Sequence, residues 1–169
     1  MRRILFLTNM ERQQLMLEKA RAKAAGEGLQ AETRTVLLSD AVPWGEEWQK
    51  TFNASDIVVF TWMGSGLDTA FLRKSAEYLR QRRVTHVMLI SEPSAGELAW
   101  GVSPEEKERL QQYLSFGGLD NFRQFWFWLA QTYCREDAPA KAPEPLLWHG
   151  IYHPRSLHPF TGLAEYRGR

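Results

Sequence analysis

A single cysteine, Cys134, stands among the 169 residues, so no internal disulfide and no cysteine-built metal site can form. No stretch approaches the ~20 consecutive apolar residues of a membrane span. Met1-Arg2-Arg3 ahead of Ile4-Leu5-Phe6-Leu7 opens like a signal peptide. The apolar run then stops at Thr8-Asn9, with no small-residue cleavage site after it. A cytoplasmic location is the expectation. Neither charge is in excess: 21 basic and 20 acidic residues leave a formal +1. Nucleic-acid binding needs a basic stripe or patch, which interleaved charges do not make. The tightest clusters, Arg2/Arg3 and Arg80/Arg82/Arg83, read as solvated positions before a strand and at a helix end. A GxGxxG fingerprint, a Walker loop and a credible Ser-His-Asp set are also missing.

What is present is enough apolar surface, 44% of residues, for the core of one domain. Ile4–Thr8 is a short apolar run ending in a polar turn, which predicts a buried strand. From Glu11 to Ala25, the residues Gln13, Met16, Leu17, Ala20 and Ala24 fall on one helical stripe, and Gly26 and Gly28 end it. Thr33–Leu38 is a second strand. Pro43 is expected to open a short helix stacking Trp44, Trp48 and Phe52. Ile57–Thr61 is apolar throughout, as in a parallel strand covered on both faces. A turn over Trp62–Gly66 leads to a helix reaching about Arg83, with Phe71, Leu72, Ser75, Ala76 and Leu79 inward. Val84–Ile90 is the fourth strand.

Ser103-Pro104-Glu105-Glu106 spells a capping box with proline at the first helical position. Gly117-Gly118 stops that helix, and Asp120 or Asn121 caps the next. Phe122, Phe125, Trp126, Leu129, Ala130 and Tyr133 keep helical period there, while Phe127 and Trp128 fall off the stripe. Such a helix is either wedged between sheet and neighbour or offers an interdomain face.

Strands alternating with helices imply right-handed crossovers and a parallel sheet clothed on both sides. The expected fold is a flavodoxin-like three-layer α/β domain over residues 1–135, with a four-stranded parallel sheet in the order 2-1-3-4. Residues 136–147, with Pro139, Pro143 and Pro145, read as a stiff linker. Residues 148–169 form an aromatic extension too short for its own core, and are expected to dock on the first domain or to open a second one.

Ligands of doubly wound sheets sit beyond the carboxyl ends of the strands, where the strand order reverses. That places a candidate crevice at Thr8 and Asn9 and at Trp62, Met63, Gly64, Ser65 and Gly66, with Glu92 on the next loop. The glycine turn could hold an anion on backbone N–H groups, stack an apolar ligand on Trp62 and Met63, or simply turn the chain. His149 and His153 are four apart, a metal-binding spacing on a helix. Gly150 and Pro154 work against a helix there, so these histidines read as solvated. No residue is assigned a catalytic or metal-binding role.

Three segments together resemble a known family: Ala54–Phe60 running on to Tyr78-Leu79, then Tyr113–Phe122 with its central Gly-Gly, then Gly150-Ile151-Tyr152-His153-Pro154 after the proline-rich stretch. In this order and spacing the chain resembles the N-terminal region of the large subunit of ATP-dependent cobaltochelatase, a relative of the magnesium-chelatase H subunit. The resemblance implies a tetrapyrrole substrate, with cobalt or magnesium as the inserted metal. It further implies AAA+ ATPase partner subunits that carry the ATP, and the remainder of a large subunit as covalent partner. The activity implied is that of the whole chelatase in cobalamin biosynthesis, not of this stretch alone. It also makes Tyr152, His153 and Pro154 an interdomain hinge. Family members often carry a Gly-Gly pair after the third strand, where this chain has Met63-Gly64-Ser65-Gly66. The rival expectations are a free-standing flavodoxin-like protein binding FMN or a nucleotide, and a structural interaction module.

Overall fold

The computed structural model describes residues 2–38, 43–63, 69–90, 99–138 and 140–145. Ten elements follow in chain order. They are β1 (Arg3–Thr8), α1 (Glu11–Gly26), β2 (Glu32–Leu37), α2 (Glu46–Asn53), β3 (Ile57–Trp62), α3 (Thr69–Gln81), β4 (Thr85–Ile90), β5 (Ala99–Trp100), α4 (Pro104–Phe116) and α5 (Gly118–Cys134).

The fold is mixed α/β around a five-stranded sheet in the order β2-β1-β3-β4-β5. The first four strands pair in parallel and β5 joins antiparallel through His86 and Trp100. The sheet of four strands expected from the sequence is therefore corrected to five. A two-residue strand has no period to read, and its signature is instead Gly101. That glycine has φ +70°, and a Cβ there would meet Thr85 Oγ1 at 3.0 Å, so a side chain would strain the turn by which the chain leaves the edge.

The apolar runs of β1 and β3 are buried along almost their whole length because helices cover both faces. One face packs Ile4, Phe6, Ile57, Val59 and Val87 against α1, α4 and α5. The other packs Leu5, Leu7, Val58, Phe60 and Met88 against α2 and α3. Alternate residues of each strand thus serve opposite layers.

α5 is buried over most of its girth, from Phe122 through Ala130 apart from Arg123, which settles the wedge reading of Phe127 and Trp128. Phe6 meets Phe125 edge-on, ring centroids 5.7 Å apart at 86°. Such pairs add about 0.5–1.5 kcal/mol beyond area burial. The Trp126 indole N–H would be costly to bury unpaired; it donates to Leu17 O at 3.0 Å.

Two helix starts differ from expectation. α2 begins at Glu46, with Gly45 as N-cap, so Pro43 and Trp44 precede it. Trp44 still joins the aromatic cluster, 5.9 Å from Phe52 and 6.0 Å from Phe71, which is why its spacing mimicked a longer helix. α5 begins at Gly118 behind Gly117, whose φ is +64°. Neither Asp120 nor Asn121 caps it. The capping box at α4 is complete: Ser103 Oγ accepts from Glu106 N–H, and Glu106 Oε2 accepts from Ser103 N–H.

The proline-rich segment does not swing free over its described residues 136–138 and 140–145. It runs back along α5 toward the Gly117-Gly118 elbow. Glu136 N–H donates to Ala130 O, Lys141 N–H to Gln124 Oε1, and Glu144 N–H to Asn121 Oδ1. Tyr113 O–H donates to Lys141 O, and Ala138 is buried in the core. Gln124 and Asn121 are buried polar residues on α5, and this strap supplies hydrogen-bond partners to both. The extension 148–169 lies outside the described residues.

Candidate functional site

The carboxyl ends of β1 and β3 lie side by side, paired Thr8 to Thr61, as the reversal of strand order requires. Two polar knots close this edge. Thr8 Oγ1 and Thr61 Oγ1 both donate to Gln13 Oε1, at 2.9 and 2.6 Å, and Met10 N–H donates back to Thr8 Oγ1 at 3.1 Å. Asn9 pairs its side-chain amide with the Met63 backbone: Nδ2 donates to Met63 O at 2.9 Å and Oδ1 accepts from Met63 N–H at 3.1 Å.

A crevice of about 260 Å³ opens beside these knots, walled by Met10, Gln13, Thr61, Trp62 and Met63 and, across it, Leu89, Gln111, Leu114 and Ser115. Thr8 and Asn9, predicted as ligand groups, sit at this edge with their polar atoms engaged by the protein, so they shape the wall. Trp62 is only 5% exposed, packed in the core with Leu7, Phe52 and Phe60. Its ring therefore offers little surface for stacking, and the apolar group presented to solvent is Met63, 63% exposed. Gly64, Ser65, Gly66 and Glu92 lie outside the described residues, as do Tyr152, His153 and Pro154 and the histidines His149, His153 and His158.

Sequence reasoning did not single out Leu89, Gln111, Leu114 or Ser115 as site residues. Gln13 was visible as the one polar member of the α1 stripe. A polar group in an apolar stripe is a signal in itself, since it needs a partner.

None of the described residues walling the crevice carries a charge. The first turn of α1 holds Glu11, where a phosphate seeking the positive helix end would meet a carboxylate. Such a wall suits an uncharged, flat or apolar surface. Among the described residues its volume falls below the roughly 300–1,000 Å³ of a site that encloses a small molecule.

Titratable groups in the core are held neutral. Burial lowers the pKa of His86, whose Nδ1–H donates to Val84 O at 2.8 Å. Burial pushes the Cys134 thiol up to about 12, with Asp56 and Glu136 adding to it. Tyr133 is raised by burial and then by Glu106. No group of three His, Cys, Asp or Glu side chains among the described residues is arranged to hold a metal ion. No helix among them is long and apolar enough to cross a membrane.

Comparison with known proteins places one part of the chain. Residues 111–169 match the CobN/Magnesium Chelatase family model. Over that stretch this agrees with the resemblance read from the sequence; the match begins at Gln111 in the crevice wall and runs through α5 and the strap. No curated protein matches the chain. Among solved structures, the glutaminase domain of Trypanosoma brucei CTPS with bound acivicin is similar over 52% of this chain at 12% identity, with a TM-score of 0.35. The similarity spans 36% of that structure's chain.

Proposed function

We infer, from the match of residues 111–169 to the CobN/Magnesium Chelatase family model, that this chain is the N-terminal module of a cobaltochelatase-type large subunit in cobalamin biosynthesis. The module is flavodoxin-like in its β2-β1-β3-β4 order. On this reading it helps form the macrocycle cavity or docks partner domains, and the uncharged crevice between Met63 and Leu114 is the surface it contributes. Residues 148–169 then open the next domain, with Tyr152, His153 and Pro154 as its hinge. Cobalt or magnesium and the tetrapyrrole are substrates of the whole chelatase, whose ATP-consuming AAA+ subunits are separate partners.

The observation that carries this reading is where the family match falls. It covers Gln111, Leu114 and Ser115, the α4 wall of the crevice, and the strap that anchors at Asn121 beside the elbow. The segment shared with the family is thus the one that ties the crevice to the chain beyond it. An uncharged wall that, over its described residues, is too small to enclose a ligand fits one side of a cavity completed by downstream domains.

Titration of the chain with hydrogenobyrinic acid diamide, followed by tryptophan fluorescence, tests the reading. Quenching that saturates and is lost in Met63→Glu supports the crevice as a macrocycle wall. Saturable quenching unchanged in Met63→Glu and in Leu114→Glu puts the macrocycle elsewhere.

A further inference from the structure

At the far edge of the sheet, β2 has a neighbour on one side only among the described residues. Glu32 N–H donates to Arg2 O at 2.9 Å and Leu38 N–H to Thr8 O at 2.7 Å. Strand geometry alternates, so the backbone groups of Arg34 and Val36 also face β1, and those of Thr33, Thr35 and Leu37 face outward. No described strand pairs with that side. On the same strand the Thr35 hydroxyl is buried without a hydrogen-bond partner, and Leu37 is 42% exposed.

Exposed edges are usually blunted by charge, and here the charge is lopsided. Arg3, Glu32, Arg34 and Lys50 line a groove of about 250 Å³ between β2 and α2, floored by Ile4, Leu5 and Ala54. Arg3 and Glu32 neutralise each other at 2.6 Å. Arg34 and Lys50 are both exposed, and neither has an ion pair among the described residues. The register with β1 puts Arg34 on the α2 face, beside Leu5, and Thr33, Thr35 and Leu37 on the α1 face, beside Ile4, Phe6 and Thr8.

We propose that β2 is a docking edge for an extended segment of a partner protein that alternates acidic and apolar residues. The segment adds as a sixth strand on the outward groups of Thr33, Thr35 and Leu37. Its acidic side chains fall on the α2 face against Arg34 and Lys50, and its apolar ones fall beside Leu37. In strand addition the main chain supplies affinity and alternate side chains supply choice of partner; here the choice is made by two unpaired positive charges. The groove and the crevice have no lining residue in common.

The test is residue-resolved amide exchange of the full chain with acetyl-Val-Glu-Val-Glu-Val-Glu-amide, and with its Val-Lys counterpart, at millimolar concentration. The acidic peptide is expected to slow exchange at Thr33, Thr35 and Leu37 by about tenfold or more, leaving Arg34 and Val36, already in the ladder, unchanged. The lysine peptide should do nothing. In Arg34→Glu/Lys50→Glu the preference should reverse, with unaltered protection of Arg34→Glu and Val36 amides showing that the sheet is intact. Three results would overturn the proposal: no slowing by the acidic peptide, equal slowing by both peptides, or slowing without peptide that rises with protein concentration. The last would mean that the edge pairs with a second copy.

Discussion

Asn121 and Glu144 hold each other by a reciprocal pair of hydrogen bonds, Nδ2 to Glu144 O at 2.7 Å and Glu144 N–H to Oδ1 at 2.9 Å. The same Nδ2 also donates to Gly117 O at 2.8 Å. One side chain thus ties together the α4–α5 elbow and the strap that runs back along α5. Asn9 makes the same kind of pair with the Met63 backbone at the crevice. In both places an asparagine supplies, through its side chain, the pairing a neighbouring strand would give.

Asn121→Ala leaves the Glu144 N–H and C=O and the Gly117 carbonyl without this partner. Each loss is partly made good by water, so the expected cost is about 1–3 kcal/mol. Thermal unfolding measures it, and amide exchange localises it: Glu144 should lose protection while Lys141, held by Gln124, keeps more. Asn121→Asp retains an acceptor for Glu144 N–H and should fall between the two.

Gly101→Ala combines a left-handed φ with a Cβ placed 3.0 Å from Thr85 Oγ1. The expected loss is about 1–2 kcal/mol. A double-mutant cycle with Thr85→Ala separates the two causes. The crowding component should vanish in the double variant, while the backbone component stays.

Folding should show an acid-sensitive step from His86. Burial lowers its pKa in the native state below the ordinary 6.5. The unfolded chain then binds a proton that the native state refuses, so stability rises with pH in this window. It is fully present above 6.5 and is lost as pH falls through 6.5 toward the native value. His86→Asn, which keeps a donor for Val84 O but does not titrate, should flatten the melting temperature between neutral and mildly acidic pH. An unchanged slope would mean that other groups set it.

Cys134 should be inert in the native protein. Its side chain is 2% exposed and its thiol is pushed up to about 12, so the reactive thiolate is scarce and shielded. Ellman's reagent at mildly alkaline pH should react only after denaturant is added. Prompt reaction of the native chain would contradict this packing.

Much of the fold was legible because its signals are local. Unbroken apolar runs marked β1 and β3, a 3.6-residue stripe marked α1, and Ser103 with Glu106 marked the start of α4. What escaped depends on residues far apart. β5 is two residues long and exists through its pairing with His86 and Val87. The strap has a linker's composition and is fixed by side chains 17 to 28 positions earlier. At the crevice, the ends of β1 and β3 were legible as the place where the strand order reverses. The opposite wall comes from β4 and α4, and which face of α4 turns inward is decided by tertiary packing.

On the proposed reading this chain is one module of a metal chelatase's large subunit, and cobalt insertion tests that reading most directly. Incorporation into hydrogenobyrinic acid diamide, followed optically with ATP and the AAA+ partner subunits, should proceed only when this chain is present with the remainder of the large subunit. The chain alone should give none. Metal insertion by the isolated chain, or an unchanged rate from the remainder without it, would contradict the account.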